Sequence, residues 1–285
     1  MEAGRRAPAP WTCSTCAATV TTRYCPDCGD HPVPQRDLTL RGLLRQLIDA
    51  LSSIDGRLIR SLRVLVSRPG ALTVAYVHGP RKPYLGPFQL FLLANVVFVA
   101  AQSLTGANVF SSPLESHLHH QDWSGLAQRL VAVHLESRQT TLDAYAPIFN
   151  QAVAFHAKSL VIMMAIPFAM LLPALFFRSR RPFVMHLVFA VHVYAFLLLL
   201  YSAALVIAAL NVWRGGAGLE SPGMDALLTV LNVAACAVYL HLAVREVYGA
   251  RGISRVAASL ALAVAILGIA LAYRFALLIL TLYVT

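Results

Sequence analysis

Residues 183–210 read FVMHLVFAVHVYAFLLLLYSAALVIAAL, twenty-eight positions without one Asp, Glu, Lys or Arg. A buried helix of a soluble domain needs only about 10–14 apolar residues, whereas a bilayer core takes about 20, so this run is long enough to cross one. Four other runs meet the same test, near Pro87 to Leu104, Leu160 to Phe177, Ala226 to Val244 and Val256 to Leu280. The 285 residues are 58% hydrophobic and 13% charged, about half the charge of an ordinary globular domain. The expected fold is an all-α polytopic membrane bundle of about five transmembrane helices. A small N-terminal four-cysteine zinc ribbon or knuckle precedes it. The chain divides into that knuckle and its linker (1–36), basic amphipathic interfacial helices (37–83) and the transmembrane bundle (84–285), with an outer loop at 105–159.

The formal net charge of +10 is placed, not spread. Twelve Lys and Arg precede residue 84, three lie in 178–182 and three in 244–255. The alternate loops hold three in 105–159 and one in 211–225, and Arg274 falls inside a span. Eighteen against four orients the chain by the positive-inside rule, with the N-terminus cytoplasmic and the C-terminus on the outer side of the membrane. The opening MEAGRRAPAPW has no apolar run after its arginines and does not read as a cleaved signal peptide. Charge that flanks spans in this way also makes nucleic acid an unlikely partner, since no groove-reading motif accompanies it.

Cys13, Cys16, Cys25 and Cys28 form two C-x-x-C pairs eight residues apart, and Cys236 stands alone in an apolar run. Two thiolates in one tight turn present both sulfurs to one ion, and a hairpin between two such turns closes a tetrahedron. Thr19 to Tyr24 (TVTTRY) has the β-branched and aromatic content of that hairpin. Zinc is the expected ion, in a closed structural site; a rubredoxin-like iron centre uses the same ligands. Saturated zinc leaves no position for substrate, so the head reads as scaffold or as contact for a cytoplasmic protein partner.

Between head and bundle, Asp37 or Thr39 starts a helix to about Ser52, and Asp55 a second that ends at Arg68-Pro69-Gly70. Their leucines recur at helical spacing with arginines outside the stripe. The leucines enter the acyl boundary while Arg57, Arg60, Arg63, Arg68, Arg81 and Lys82 meet anionic lipid headgroups or a partner, or else both helices pack on the protein itself. The prolines and glycines of Gly79 to Phe88 force a turn into the first span.

Polar groups inside a span are costly and mark candidate positions: Asn95, His186, His192, Asn232 and His241, with Arg274 near an outer end and able to snorkel. Their simplest role is hydrogen bonding between helices; a haem held by histidines on two spans is the sharper alternative. His117, His119 and His120 beside Glu115 and Asp122 read as a solvated loop, with metal binding or acid sensing as the alternative. No recognisable catalytic motif is present, so the residues leave an enzyme neither shown nor excluded.

Cys13, Cys16, Tyr24, Cys25, Cys28 and Gly29, then Asp55, Arg57, Arg68, Pro69, Gly70, Arg81, Tyr84, Pro87 and Phe88, follow an order that resembles an uncharacterised bacterial inner-membrane family with an N-terminal zinc ribbon, DUF3667. Ala17 and Asp30 depart from the residues usual there. The resemblance implies location and architecture and no activity. The expected function is a docking or regulatory membrane component, and the alternative is a transporter or lipid-handling membrane enzyme using the polar span residues.

Overall fold

The computed structural model describes residues 10–12, 18–22, 25–26, 56–79 and 83–285, in two units, Met1–Gly56 and Arg57–Thr285. In the first, β1 (Trp11–Thr12) pairs antiparallel with β2 (Thr19–Val20) in the register Trp11↔Val20 and Thr12↔Thr19. Val20 and Cys25 are buried together against Ala18. Cys13, Cys16, Cys28, the expected helix at 37–52, Asp55, Arg81 and Lys82 lie outside the described residues.

The second unit is helical. Two short helices, α1 (residues 56–67) and α2 (Ala71–His78), lead into α3 (Pro87–Thr105). Then come α4 (Leu114–His119), α5 (Ser124–Arg138), α6 (Leu142–Leu160), α7 (Ala165–Leu175), α8 (Phe183–Trp213), α9 (Pro222–Tyr248) and α10 (Gly252–Val284). Pro87 opens α3, where its missing N–H is no loss. Between α6 and α7 the chain tightens to a 3-10 turn at Val161–Met164. Pro167 follows, with no N–H for the Met163 carbonyl and a ring that crowds it, which accounts for the local change of winding.

Five helices are long and apolar enough to cross a membrane: α3, the 34-residue run Leu142–Leu175, α8, α9 and α10. The second starts eighteen residues before the apolar run at Leu160. At 1.5 Å per residue, helices of 31 to 34 residues exceed a ~30 Å hydrocarbon core and must project beyond it. Half of the most apolar window of α8 is buried in the protein, against a third or less for the other four. Every residue from Val188 to Leu198 is buried, as expected of a helix apolar on all sides. α8 is therefore the axis: α3, α7 and α9 pack on it, and the stacked rings of Phe196 and Tyr239, 3.8 Å apart, join it to α9. The other spans leave residues such as Val96, Val230 and Val264 bare, a surface that suits lipid and not water.

The helices alternate in direction, so the starts of α3, α8 and α10 share one end with the termini of α7 and α9. That end is called basic below. α1 and α2 cover it, and α4 and α5 cover the other.

Candidate functional site at the basic end

The Arg68-Pro69-Gly70 turn between α1 and α2 seats against α9. Gly70 has φ of +89°, and a Cβ there would lie 3.0 Å from the Ala243 carbonyl oxygen, Glu246 Cβ and Val247 Cγ2. Only glycine meets both demands, a left-handed backbone and this approach. On α1, Ser61 is fully buried: its Oγ donates to the Arg57 carbonyl (2.7 Å) and accepts from the Leu85 N–H (2.9 Å). Arg57 Nη2 donates to the Tyr84 carbonyl at 2.8 Å. These bonds fix α1 to the turn that enters α3. Leu65 is buried and Leu62 packs on the core, while Ile59 and Val66 stay exposed beside Arg60 and Arg63. Leu62 and Leu65 of α1 thus face the protein, and Ile59 and Val66 stay on its exposed side.

Three of the five intramembrane candidates find side-chain or backbone partners. His192 Nδ1 is 2.9 Å from Thr73 Oγ1, tying α8 to α2 in a fully buried contact. His186 Nδ1 is 2.8 Å from the Tyr248 hydroxyl, tying α8 to α9, and the Tyr248 ring stacks on Phe176 with centroids 3.8 Å apart. Asn95 Nδ2 makes a long 3.4 Å bond to the Lys158 carbonyl, and its Oδ1 is buried without a partner. The half-buried His241 offers its carbonyl to Arg255 Nε at 2.7 Å, and Asn232 is half buried. Thr73, Tyr248 and Ser61 are the residues that sequence reasoning missed; Ser61 carried one signal, a polar position among the leucines of α1.

Arg57, Arg60, Arg63, Arg68, Arg178, Arg180, Arg181, Arg245, Arg251 and Arg255 stand at this end, and Glu246 is its one carboxylate among the described residues. All but the half-buried Arg255 are exposed. Arg181 reaches His78 Nε2 at 3.4 Å, and Arg178 lies over the Phe177 ring. One carboxylate cannot neutralise ten guanidinium groups, so this end carries a net positive charge among the described residues.

The opposite end is different in kind. His117 is buried, and its Nδ1 accepts the Trp123 indole N–H at 3.2 Å, so the neutral ring carries its proton on Nε2, which has no partner. Burial, and then the Arg274 guanidinium, lower its pKa from 6.5 to about 4. His119 and His120 are exposed, and Arg274 Nη2 donates to the Val109 carbonyl at 3.0 Å instead of snorkelling. The H-x-H-H run is thereby split. Among the described residues no group of three or more His, Cys, Asp or Glu side chains is placed to hold a metal ion.

Five apolar helices of spanning length around a buried axis, with bare apolar exteriors, define a multi-pass membrane protein. A family model described as a protein of unknown function, DUF3667, matches residues 55–99, the stretch from α1 through α2 into α3. No curated protein and no solved structure matches the chain.

Proposed function

We propose that this protein is a docking or regulatory component of the bacterial inner membrane, with α1 and α2 joining a cytoplasmic metal-held head to a five-span bundle. One observation carries the reading: the residues that match the family, 55–99, hold the joint, fastened to α3 through Arg57 and Ser61, to α8 through Thr73 and to α9 at Gly70. The N-terminus lies in the cytoplasm and the C-terminus outside, as the excess of arginine at the basic end supports. Cys13, Cys16, Cys25 and Cys28 hold one structural zinc. The β1–β2 pairing supports this, because its two strands flank the first C-x-x-C pair in sequence, and Cys25 is buried beside Val20. Zinc supplies folding energy to a head with little core of its own. Arg57, Arg60, Arg63, Arg68, Arg81 and Lys82 meet anionic headgroups, and the head meets a cytoplasmic protein. The transport or lipid-handling reading is less well supported, because His186 and His192 spend their Nδ1 atoms on contacts between helices.

The test compares the purified full chain with Cys25→Ser. The expected result is about one zinc per chain, lost in the variant together with the cytoplasmic proteins that co-purify from native membranes, while the bundle stays monodisperse. Zinc-free wild type overturns the metal site. The same partners retained by the variant overturn docking through the head.

A further inference from the structure

A cleft of about 780 Å³ opens at the basic end between the close of α7 and the start of α10, with no lining residue from α1 or α2. Its volume falls in the ~300–1,000 Å³ range of small-ligand sites. Polarity changes along its length. Arg178, Ser179 and Ser254 line the outer part, and Leu175, Ala257 and Ala261 the part toward the bundle. The stacked Phe176 and Tyr248 rings stiffen one wall, and Tyr248 is held in turn by His186.

The outer part offers donors without carboxylates. Ser179 and Ser254 spend their hydroxyl protons on the Phe176 and Arg251 carbonyls at 2.7 and 2.8 Å. What remains toward the cleft is the Arg178 guanidinium and the first turn of α10, which has no side-chain cap and no acidic residue. Exposed Arg180 and Arg251 add to the same field. A guanidinium beside uncapped backbone N–H groups suits a phosphate oxyanion. An apolar wall of small alanines running inward from it suits an acyl chain. A neutral soluble metabolite would waste the arginines, and a free phosphate would leave the apolar wall bare.

We infer that this cleft binds one anionic diacyl phospholipid from the leaflet at the basic end, its phosphate at Arg178 and the α10 N-terminus and its acyl chain along Ala257 and Ala261. The site stands apart from the docking role and rests only on the chain spanning a membrane. It does not involve the head.

Native mass spectrometry of the delipidated full chain tests it, with dioleoylphosphatidylglycerol as probe and dioleoylphosphatidylcholine as the neutral-headgroup control. Arg178→Ala removes charge and Ala257→Phe removes space, both at exposed positions where folding is expected to survive; thermal stability checks this. Each is expected to weaken phosphatidylglycerol retention about fivefold or more, while Arg129→Ala, exposed on α5 at the opposite end, changes it less than twofold. Equal losses for Arg178→Ala and Arg129→Ala would mean diffuse surface charge and overturn the site. So would an Ala257→Phe variant that binds like wild type, equal retention of phosphatidylcholine, or displacement of the lipid by inorganic phosphate alone.

Discussion

Both ends of the bundle are closed by a pair of short helices, yet the two closures use opposite chemistry. At the basic end, α1 and α2 are fastened by backbone approach and short polar bonds, and their outward face carries arginines without carboxylates. At the other end, α4 and α5 close over rings: His117 meets Phe149 edge-on and takes the Trp123 N–H, and Trp123 meets Phe275. Asn150 of α6 accepts the Leu114 N–H at 2.8 Å. One closure leaves positive charge uncompensated among the described residues; the other is sealed around a buried histidine. The difference separates a charged, exposed closure from one packed on aromatic rings.

Two glycines give the sharpest way to break that comparison. Gly70 and Gly106 both have positive φ, +89° and +69°, but a Cβ at Gly106 meets nothing within 4 Å. Gly106→Ala should cost only the backbone strain, about 1–2 kcal/mol. Gly70→Val adds overpacking against α9 to the same strain and should cost about 2–5 kcal/mol. Thermal unfolding in detergent measures both. Equal costs would mean that the turn does not seat on α9 as described.

What could be read from the sequence follows from how local each signal is. Five spans were legible because about twenty apolar residues in a row need no partner to be recognised. Their extents were less so, because Asp143, Asn150, Gln151, His156 and Lys158 dilute the apolar signal of α6 while leaving it helical. His186 and His192 stood out as polar residues in a span, and hydrogen bonding between helices was their expected role. Tyr248 and Thr73 were not nameable as partners, since they lie 62 and 119 residues away along the chain. Arg68-Pro69-Gly70 read as a helix stop; that Gly70 must also admit the α9 backbone depends on tertiary contact. His117 looked like its neighbours His119 and His120, and only the fold turns it inward.

The sealed end should respond to acid through His117. The folded pKa of His117, about 4, is below the 6.5 of the exposed group, so the unfolded chain binds the extra proton first. Its contribution to stability is complete above pH 6.5, declines as pH falls toward 4 and changes no further below that. Nearby Arg274 acts in the same direction as burial. Hydrogen exchange over 114–138 should therefore quicken between pH 6.5 and 4, and His117→Gln should flatten the response. A response that His117→Gln leaves unchanged would assign the effect to general acid unfolding.

The smallest effect tests whether the Thr73–His192 contact holds the basic end or only avoids a loss. Hydrogen bonds between membrane helices average about 0.6 kcal/mol and seldom exceed about 1.7, whereas a buried group left without a partner costs about 1–3 kcal/mol. Thr73→Val takes the partner of His192 Nδ1 away in the core, where His192 is 3% exposed. It should cost about 1–2 kcal/mol by thermal unfolding. Thr73→Val with His192→Leu removes donor and acceptor together and should recover most of that cost. Recovery identifies the pair as mutual satisfaction of two buried groups, leaving Gly70 and Ser61 as the fastening. A double variant as unstable as the single one would instead make the bond itself part of what holds α2 to α8.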